Sequence, residues 1–258
     1  MTAREPEQIY ERTREEGRRR LSRPVLELAA TAAVGGFDVA FGVAALALAG
    51  AAISERFGPG PGDVAGAAAF GIGFVFVVVG RSELFTENFL VPITGMDHRD
   101  RGSWLKLGEL WAVSLVLNVL GGLVLAVILS SHGVLRDGAG DHLERLAEHI
   151  VDYGLLTGLL SAFVAGALMT LMTWLVEGAV GGAGTRALMA WLVGFLLALG
   201  AFNHAIVSTV ELIFGMRYGG DVNLSDLFAN LGLAVGGNLA GGLAFVTLAR
   251  SAQALAGR

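Results

Sequence analysis

The sequence predicts an all-α membrane protein of six transmembrane helices in which the second and fifth spans are broken. Three observations carry this. Hydrophobic residues make up 54% of the 258 and charged residues only 16%, whereas a soluble domain carries nearer a quarter charged. Six runs, 26–53, 64–94, 107–130, 153–176, 188–214 and 227–249, meet the need of a span for about 20 mostly apolar residues. The second and fifth are too long and are interrupted at mid-run. One holds Arg81-Ser82-Glu83 and Thr86-Glu87-Asn88, and the other holds Asn203-His204 and Ser208.

Residues 1–25 form the first unit, rich in Arg and Glu and unlike a secretory signal peptide. Glu15/Arg19 and Glu16/Arg20 stand at i,i+4 on a charged helix whose sparse apolar positions are Ile9, Leu21 and Val25. A solvated cytoplasmic helix is preferred here over a plug or a membrane-surface helix. The spans occupy 26–249, and 250–258 is a short tail. Thirteen Lys and Arg fall on the side of the termini and four on the other, with Arg81 inside a span. That bias places both termini in the cytoplasm and the protein in the inner membrane as a multi-pass chain. The acidic segment 131–152 reads as a short extracytoplasmic helix.

The 38 glycines suit close helix packing in lipid. With no cysteine, disulfides and thiolate metal sites are excluded. His98, His132, His142 and His149 sit in loops, away from the span acids Asp38, Glu109, Glu177 and Glu211, so no metal or cofactor is expected. Glu109, Glu177 and Glu211 lie near span ends, where interfacial water is the default, while Asp38 either faces the pore or bonds a helix end. The chain lacks Gly-x-Ser-Gly, His-Glu-x-x-His and a P-loop, which argues against an enzyme. Paired Asn-Pro-Ala loops are also absent, and no nucleic-acid partner is expected.

The two halves resemble each other. Asn118-x-x-Gly121 in span 3 recurs as Asn238-x-x-Gly241 in span 6, an offset of 120, and Gly80 matches Gly200 at the same offset. Three spans per half make this an inverted repeat, and paired broken spans point to a transport site. Helix packing alone accounts for the glycines but not for the shared register of the breaks. His204 stands inside the second break. A structural histidine bonded to a carbonyl is one reading; a proton-handling pore residue is preferred, because an ionisable group at that depth is costly to keep.

At these residues the chain resembles the formate/nitrite transporter family, over essentially all six spans. Glu83-Leu84-Phe85-Thr86-Glu87-Asn88 is similar to the family's loop in the broken second span, and Phe202-Asn203-His204 to its Phe-Glu-His in the fifth. The resemblance implies an aquaporin-like protomer assembled as a homopentamer, each protomer with its own pore. The implied cargo is a small monovalent weak-acid anion such as formate or nitrite, moved with a proton. It also implies a central pair of Thr86 and His204, with constrictions at Leu84 and Phe85 on the cytoplasmic side and Phe70 and Leu197 on the other.

Some positions depart from the family pattern. The basic residue early in span 4 falls on Gly154, its Asn on Thr170, the Glu before the histidine on Asn203, and the later Asn on Ser208. Arg81 and Glu87 are added charges. Arg81 either pairs with Glu83 or Glu87, the preferred reading, or supplies the positive field lost at Gly154. The same departures keep two other functions open: a channel for a neutral small molecule, and a non-transporting sensor or structural membrane protein.

Overall fold

A computed structural model describes residues 4–256; residues 1–3 and 257–258 lie outside it, and with them Arg258 of the tail charges. Helix α1 (Pro6–Leu21) opens with a capping box between Glu5 and Gln8 and a proline where no N–H is needed. Helix α2 (Val25–Phe57) follows Pro24 and, at 33 residues, outruns the roughly 30 Å hydrocarbon core. Helix α3 (Pro59–Gly80) runs back and ends at Arg81. A 3-10 turn (Phe85–Glu87) and the five-residue α4 (Val91–Gly95) complete the broken segment.

Helix α5 (Arg101–Leu129) starts at Asp100, whose carboxylate accepts the Gly102 and Ser103 N–H groups. The acidic segment forms the amphipathic α6 (Ala139–Val151). Helix α7 (Leu155–Gly178) precedes the second broken segment, α8 (Ala183–Leu199) and α9 (Ala205–Tyr218). The last crossing is α10 (Leu224–Ala240), a π-helical stretch (Gly241–Thr247) and α11 (Leu248–Leu255). Among the described residues five helices are long and apolar enough to cross a membrane, and α8 is a shorter apolar helix. The apolar segment to which α8 belongs is thus in two pieces, α8 and α9.

The two breaks are built alike. Arg81 and Ala201, at the offset of 120, are the non-glycine residues with positive φ, 59° and 46°. Each costs of order 1 kcal/mol or more, so the surrounding structure must hold it there. After each, a backbone N–H reaches back five residues: Ser82 to Val77 at 3.2 Å and Phe202 to Leu197 at 3.1 Å. Asn118 and Asn238 then fix the exposed backbone. The Asn118 Oδ1 accepts the Phe85 N–H at 2.8 Å, and its Nδ2 donates to the Ala32 and Glu83 carbonyls. The Asn238 Oδ1 accepts the Ala205 N–H at 2.9 Å, and its Nδ2 donates to Ala162 and Asn203. A Cβ on Gly121 would collide with the Ala33 carbonyl and one on Gly241 with that of Phe163, so these glycines let backbones touch.

Helix α1 is docked by one face and solvated on the other, where the sequence reading had it solvated throughout. Ile9 packs into a small cluster with Leu90, Trp174 and Ala254, and Gly17 lies so close to the Val91 carbonyl that a Cβ would clash. Thr94 donates to Thr13 at 3.3 Å. Along α1 the partner of both Arg19 and Arg20 is Glu16, in place of the expected Glu15/Arg19 pair. Leu21 ends α1, and Val25 begins α2 as an exposed residue.

Candidate pore centre

The two breaks meet at Thr86 and His204. The Thr86 Oγ1 and His204 Nε2 lie 2.7 Å apart, and both residues are 0% exposed. His204 is the N-cap of α9, where its Nδ1 accepts the Ile206 and Val207 N–H groups at 3.3 and 3.1 Å. An Nδ1 that accepts carries no hydrogen, so in the neutral ring the hydrogen sits on Nε2. Nε2–H then donates to Thr86, and the threonine hydroxyl hydrogen is left to point elsewhere. The Ser208 Oγ accepts the His204 N–H at 3.2 Å.

Aromatic and aliphatic side chains close around this pair. The Phe74 ring lies 6.0 Å from the His204 ring and packs edge-on against Phe70 at 5.2 Å. Phe70, Leu84, Phe85 and Leu197 are all buried, and Phe85 packs edge-on against Phe89. Thr170 is turned elsewhere: its hydroxyl donates to the Gly166 carbonyl and faces Gly242. Asn203 is committed to a reciprocal amide pair with Asn230 at 2.7 and 3.2 Å. Neither is brought to the Thr86–His204 pair by a hydrogen bond.

On the α1 side of this centre lies a cavity of about 290 Å³ lined by Arg12, Arg19, Arg20, Arg23, Arg81 and Arg186, and by Glu16, Glu83, Glu87 and Glu177. The preferred pairing of Arg81 with Glu83 or Glu87 is wrong. Arg20 Nη1 donates to Glu83 Oε1 at 2.9 Å and to Asn88 at 3.0 Å, while Arg23 holds Glu83 Oε2 at 2.5 Å. Glu87 has Arg20 at 3.7 Å and Glu177 has Arg12 at 3.4 Å. The Arg81 side chain is exposed and, like that of Arg186, forms no ion pair among the described residues. With six arginines against four glutamates, the cavity keeps a positive excess. Its arginines hold Glu16 at about 2 against the upward push of burial, through Arg19 and Arg20.

Asp38 bonds a helix end, accepting the Ser82 hydroxyl at 2.6 Å. Glu211, on α9, is partly exposed. It borders a cavity of about 30 Å³ on the far side of the centre, with Leu197, Phe202, Val207 and His149. Arg20, Arg23, Asn230 and Phe74 were not anticipated as site residues. Arg20 and Glu83 are 63 positions apart, and nothing local in the sequence links them. Among the described residues no group of three or more His, Asp or Glu could hold a metal.

Comparison with known proteins adds three findings. The sequence matches the family described as "Formate/nitrite transporter" over residues 7–252. It is 24% identical to "Inner membrane protein YfdC" of Escherichia coli (strain K12), covering 95% of this chain and 77% of that one. It is 27% identical to "Uncharacterized transporter YrhG" of Bacillus subtilis (strain 168), covering 96% and 92%. Two solved structures share the fold at 18% identity. A "Pentameric formate channel with formate bound" has a TM-score of 0.76 over 90% of this chain and 98% of that one. An "FNT family ion channel" has 0.79 over 93% and 96%.

Proposed function

The chain belongs to the formate/nitrite transporter family, and on that premise we propose that it conducts a small monovalent weak acid, formate or nitrite in kind, together with a proton. Members are membrane channels and transporters rather than enzymes. The observation that carries the proposal is the fully buried 2.7 Å contact of Thr86 and His204 where the two broken spans meet. The protomers assemble as a homopentamer in the bilayer, as in the formate channel whose fold they share. Both termini lie in the cytoplasm, so the arginine-lined cavity is the inner vestibule and the Glu211 cavity the outer mouth.

In this reading the unpaired Arg81 and Arg186 draw the anion into the inner vestibule. The passage beyond is lined by Leu84, Phe74, Phe70 and Leu197, and a bare anion there loses several kcal/mol of hydration or more. A neutral acid avoids that loss. Thr86 contributes the hydroxyl hydrogen that His204 leaves free, and His204 fixes the polarity of that hydroxyl. A neutral His204 has no second proton to give, so the proton comes from a vestibule.

Purified protein in liposomes tests the proposal, with formate, nitrite and acetate screened under an imposed pH gradient and osmotic water flux measured in parallel. Saturable, proton-linked uptake of one of these acids is expected. Water flux without acid transport would establish the neutral-solute channel instead, and no flux of either kind would favour the non-transporting reading.

A further inference from the structure

Helix α9 carries a second ionisable group on the face that leads away from His204. Val207 and Glu211, at i and i+4, both border the small cavity outside Leu197, so they continue one stripe of the helix. Seven residues beyond His204, Glu211 stands about 10 Å further along the axis. It is partly buried, and among the described residues its carboxylate forms no hydrogen bond or ion pair. The remaining wall is apolar, from Leu46 of α2 and Leu146 and Ile150 of α6 to Ala198 of α8.

One other ionisable side chain lines this cavity, His149 of α6, which is exposed to water. Its ring packs 5.1 Å from that of Tyr153, whose hydroxyl donates to the Ala201 carbonyl at the second break. Burial first, and then the charge of Glu211, pushes the Tyr153 phenol up. Helix α6 also carries Glu144 and Glu148, and Asp152 caps its C-terminus. The arginine on α9, Arg217, is engaged with Ser130 at 3.1 Å. Among the described residues no Lys or Arg pairs with Glu211.

We propose that Glu211 is the proton-exchanging group of the outer mouth, with His149 as its relay to water. This rests on the reading of the chain as a weak-acid channel. A protonated Glu211 gives its carboxyl hydrogen to an oxygen of the incoming anion, which crosses Leu197 as the neutral acid. The carboxylate left behind regains a proton from the His149 imidazolium, and His149 from outer water, so one proton accompanies each anion. An ionised Glu211 instead repels the anion. The outer mouth therefore admits cargo according to external acidity, while the arginine-lined inner face does not.

The test is formate uptake into right-side-out liposomes at external pH 5 to 8 with internal pH fixed. Glu211→Gln, a neutral isostere with no proton to give, is expected to lose most of the uptake that external acid drives, keeping only the residual dependence set by the pH gradient itself, and Glu211→Asp to retain the wild-type profile. His149→Ala is expected to slow uptake in weakly buffered medium and to recover when imidazole is added. A Glu211→Gln protein that transports formate with the wild-type external profile overturns the assignment, as does a His149→Ala protein indifferent to buffer. Wild-type liposomes that take up neither formate nor nitrite at any pH would instead remove the functional reading, and this inference with it.

Discussion

Thr86 and His204, 118 positions apart in the chain, share a 2.7 Å hydrogen bond inside a fully buried centre. The bond has a direction. The Ile206 and Val207 N–H groups occupy His204 Nδ1, so the ring hydrogen lies on Nε2 and the threonine oxygen is the acceptor. The contact thus works as an orienting device for one hydroxyl.

Removing that hydroxyl leaves Nε2–H buried without a partner and takes away the donor that the proposed function assigns to the cargo. Thr86→Val, which keeps the volume, is expected to cost about 1–3 kcal/mol in the transport step, or roughly five- to hundredfold in formate flux. Thr86→Ser should stay within a few-fold of wild type. Flux in Thr86→Val equal to wild type at matched protein density would take Thr86 out of the mechanism.

Asn118 and Asn238 each satisfy three backbone groups at a break. Asn118→Ala and Asn238→Ala are expected to destabilise the protein by similar amounts, about 1–3 kcal/mol for each buried group left unpaired. Thermal unfolding in detergent measures this. Asn118→Asp should be worse than alanine, since it points a carboxylate oxygen at the Ala32 and Glu83 carbonyls. A difference confined to one half of the molecule would argue against the two asparagines being structural equivalents.

Glu83 is 1% exposed and held by Arg20 and Arg23. Truncating both arginines strands a buried carboxylate, which costs about 3–5 kcal/mol when a partner is removed. The Arg20→Ala/Arg23→Ala protein should expose α1 to trypsin and melt earlier, and adding Glu83→Gln should recover part of the loss. Unchanged proteolysis would show that α1 is held by Ile9 and the Gly17 contact instead.

These results show what was legible in the chain. The spans, both breaks and the offset linking Asn118 to Asn238 were readable, because hydropathy and a repeated register are local and additive signals. His204 stands out by its place in an apolar run and Thr86 through the family resemblance, and the fold brings them together. The partner of Glu83 was not legible. Arg81 stands two residues away in sequence, but at its left-handed backbone it lines the arginine-rich cavity, while Arg20 of α1 and Arg23 just after that helix close on the carboxylate. The surroundings of Glu211 were not legible for a related reason: distance from a span end does not reveal that its helix face borders a cavity with His149.

The contribution of Glu16 to the docking of α1 should be indifferent to pH across the physiological range. Arg19 and Arg20 hold Glu16 at about 2 against burial, well below its ordinary 4.5. A lowered carboxylate contributes stability that is fully present above about 4.5 and is lost as pH falls through about 2. The protection factors of the α1 amides, exchange rates corrected for their intrinsic pH dependence, are therefore expected to be constant from pH 8 to pH 5 as far as Glu16 sets them, and to fall only in stronger acid. Release of α1 between pH 7 and pH 5 would require another titrating group.

Gly154 gives a direct test of charge at the outer mouth. It caps α7 with ordinary backbone angles, φ −60° and ψ 152°, and a Cβ there would meet no atom within 4 Å. Lysine should therefore fit, with only the roughly 0.3–1 kcal/mol cost of a cation at a helix N-terminus. The residue adjoins Tyr153, whose hydroxyl bonds to Ala201 beside the Glu211 cavity. A flexible ammonium placed there offsets the uncompensated carboxylate. Formate uptake from outside at neutral pH should rise several-fold in Gly154→Lys at low salt, and the gain should shrink as salt screens the field. In a Glu211→Gln background the same lysine should add less, because the charge it offsets is gone. Equal gains in both backgrounds would separate Gly154 from Glu211, and no gain at low salt would place Gly154 outside the path of the anion.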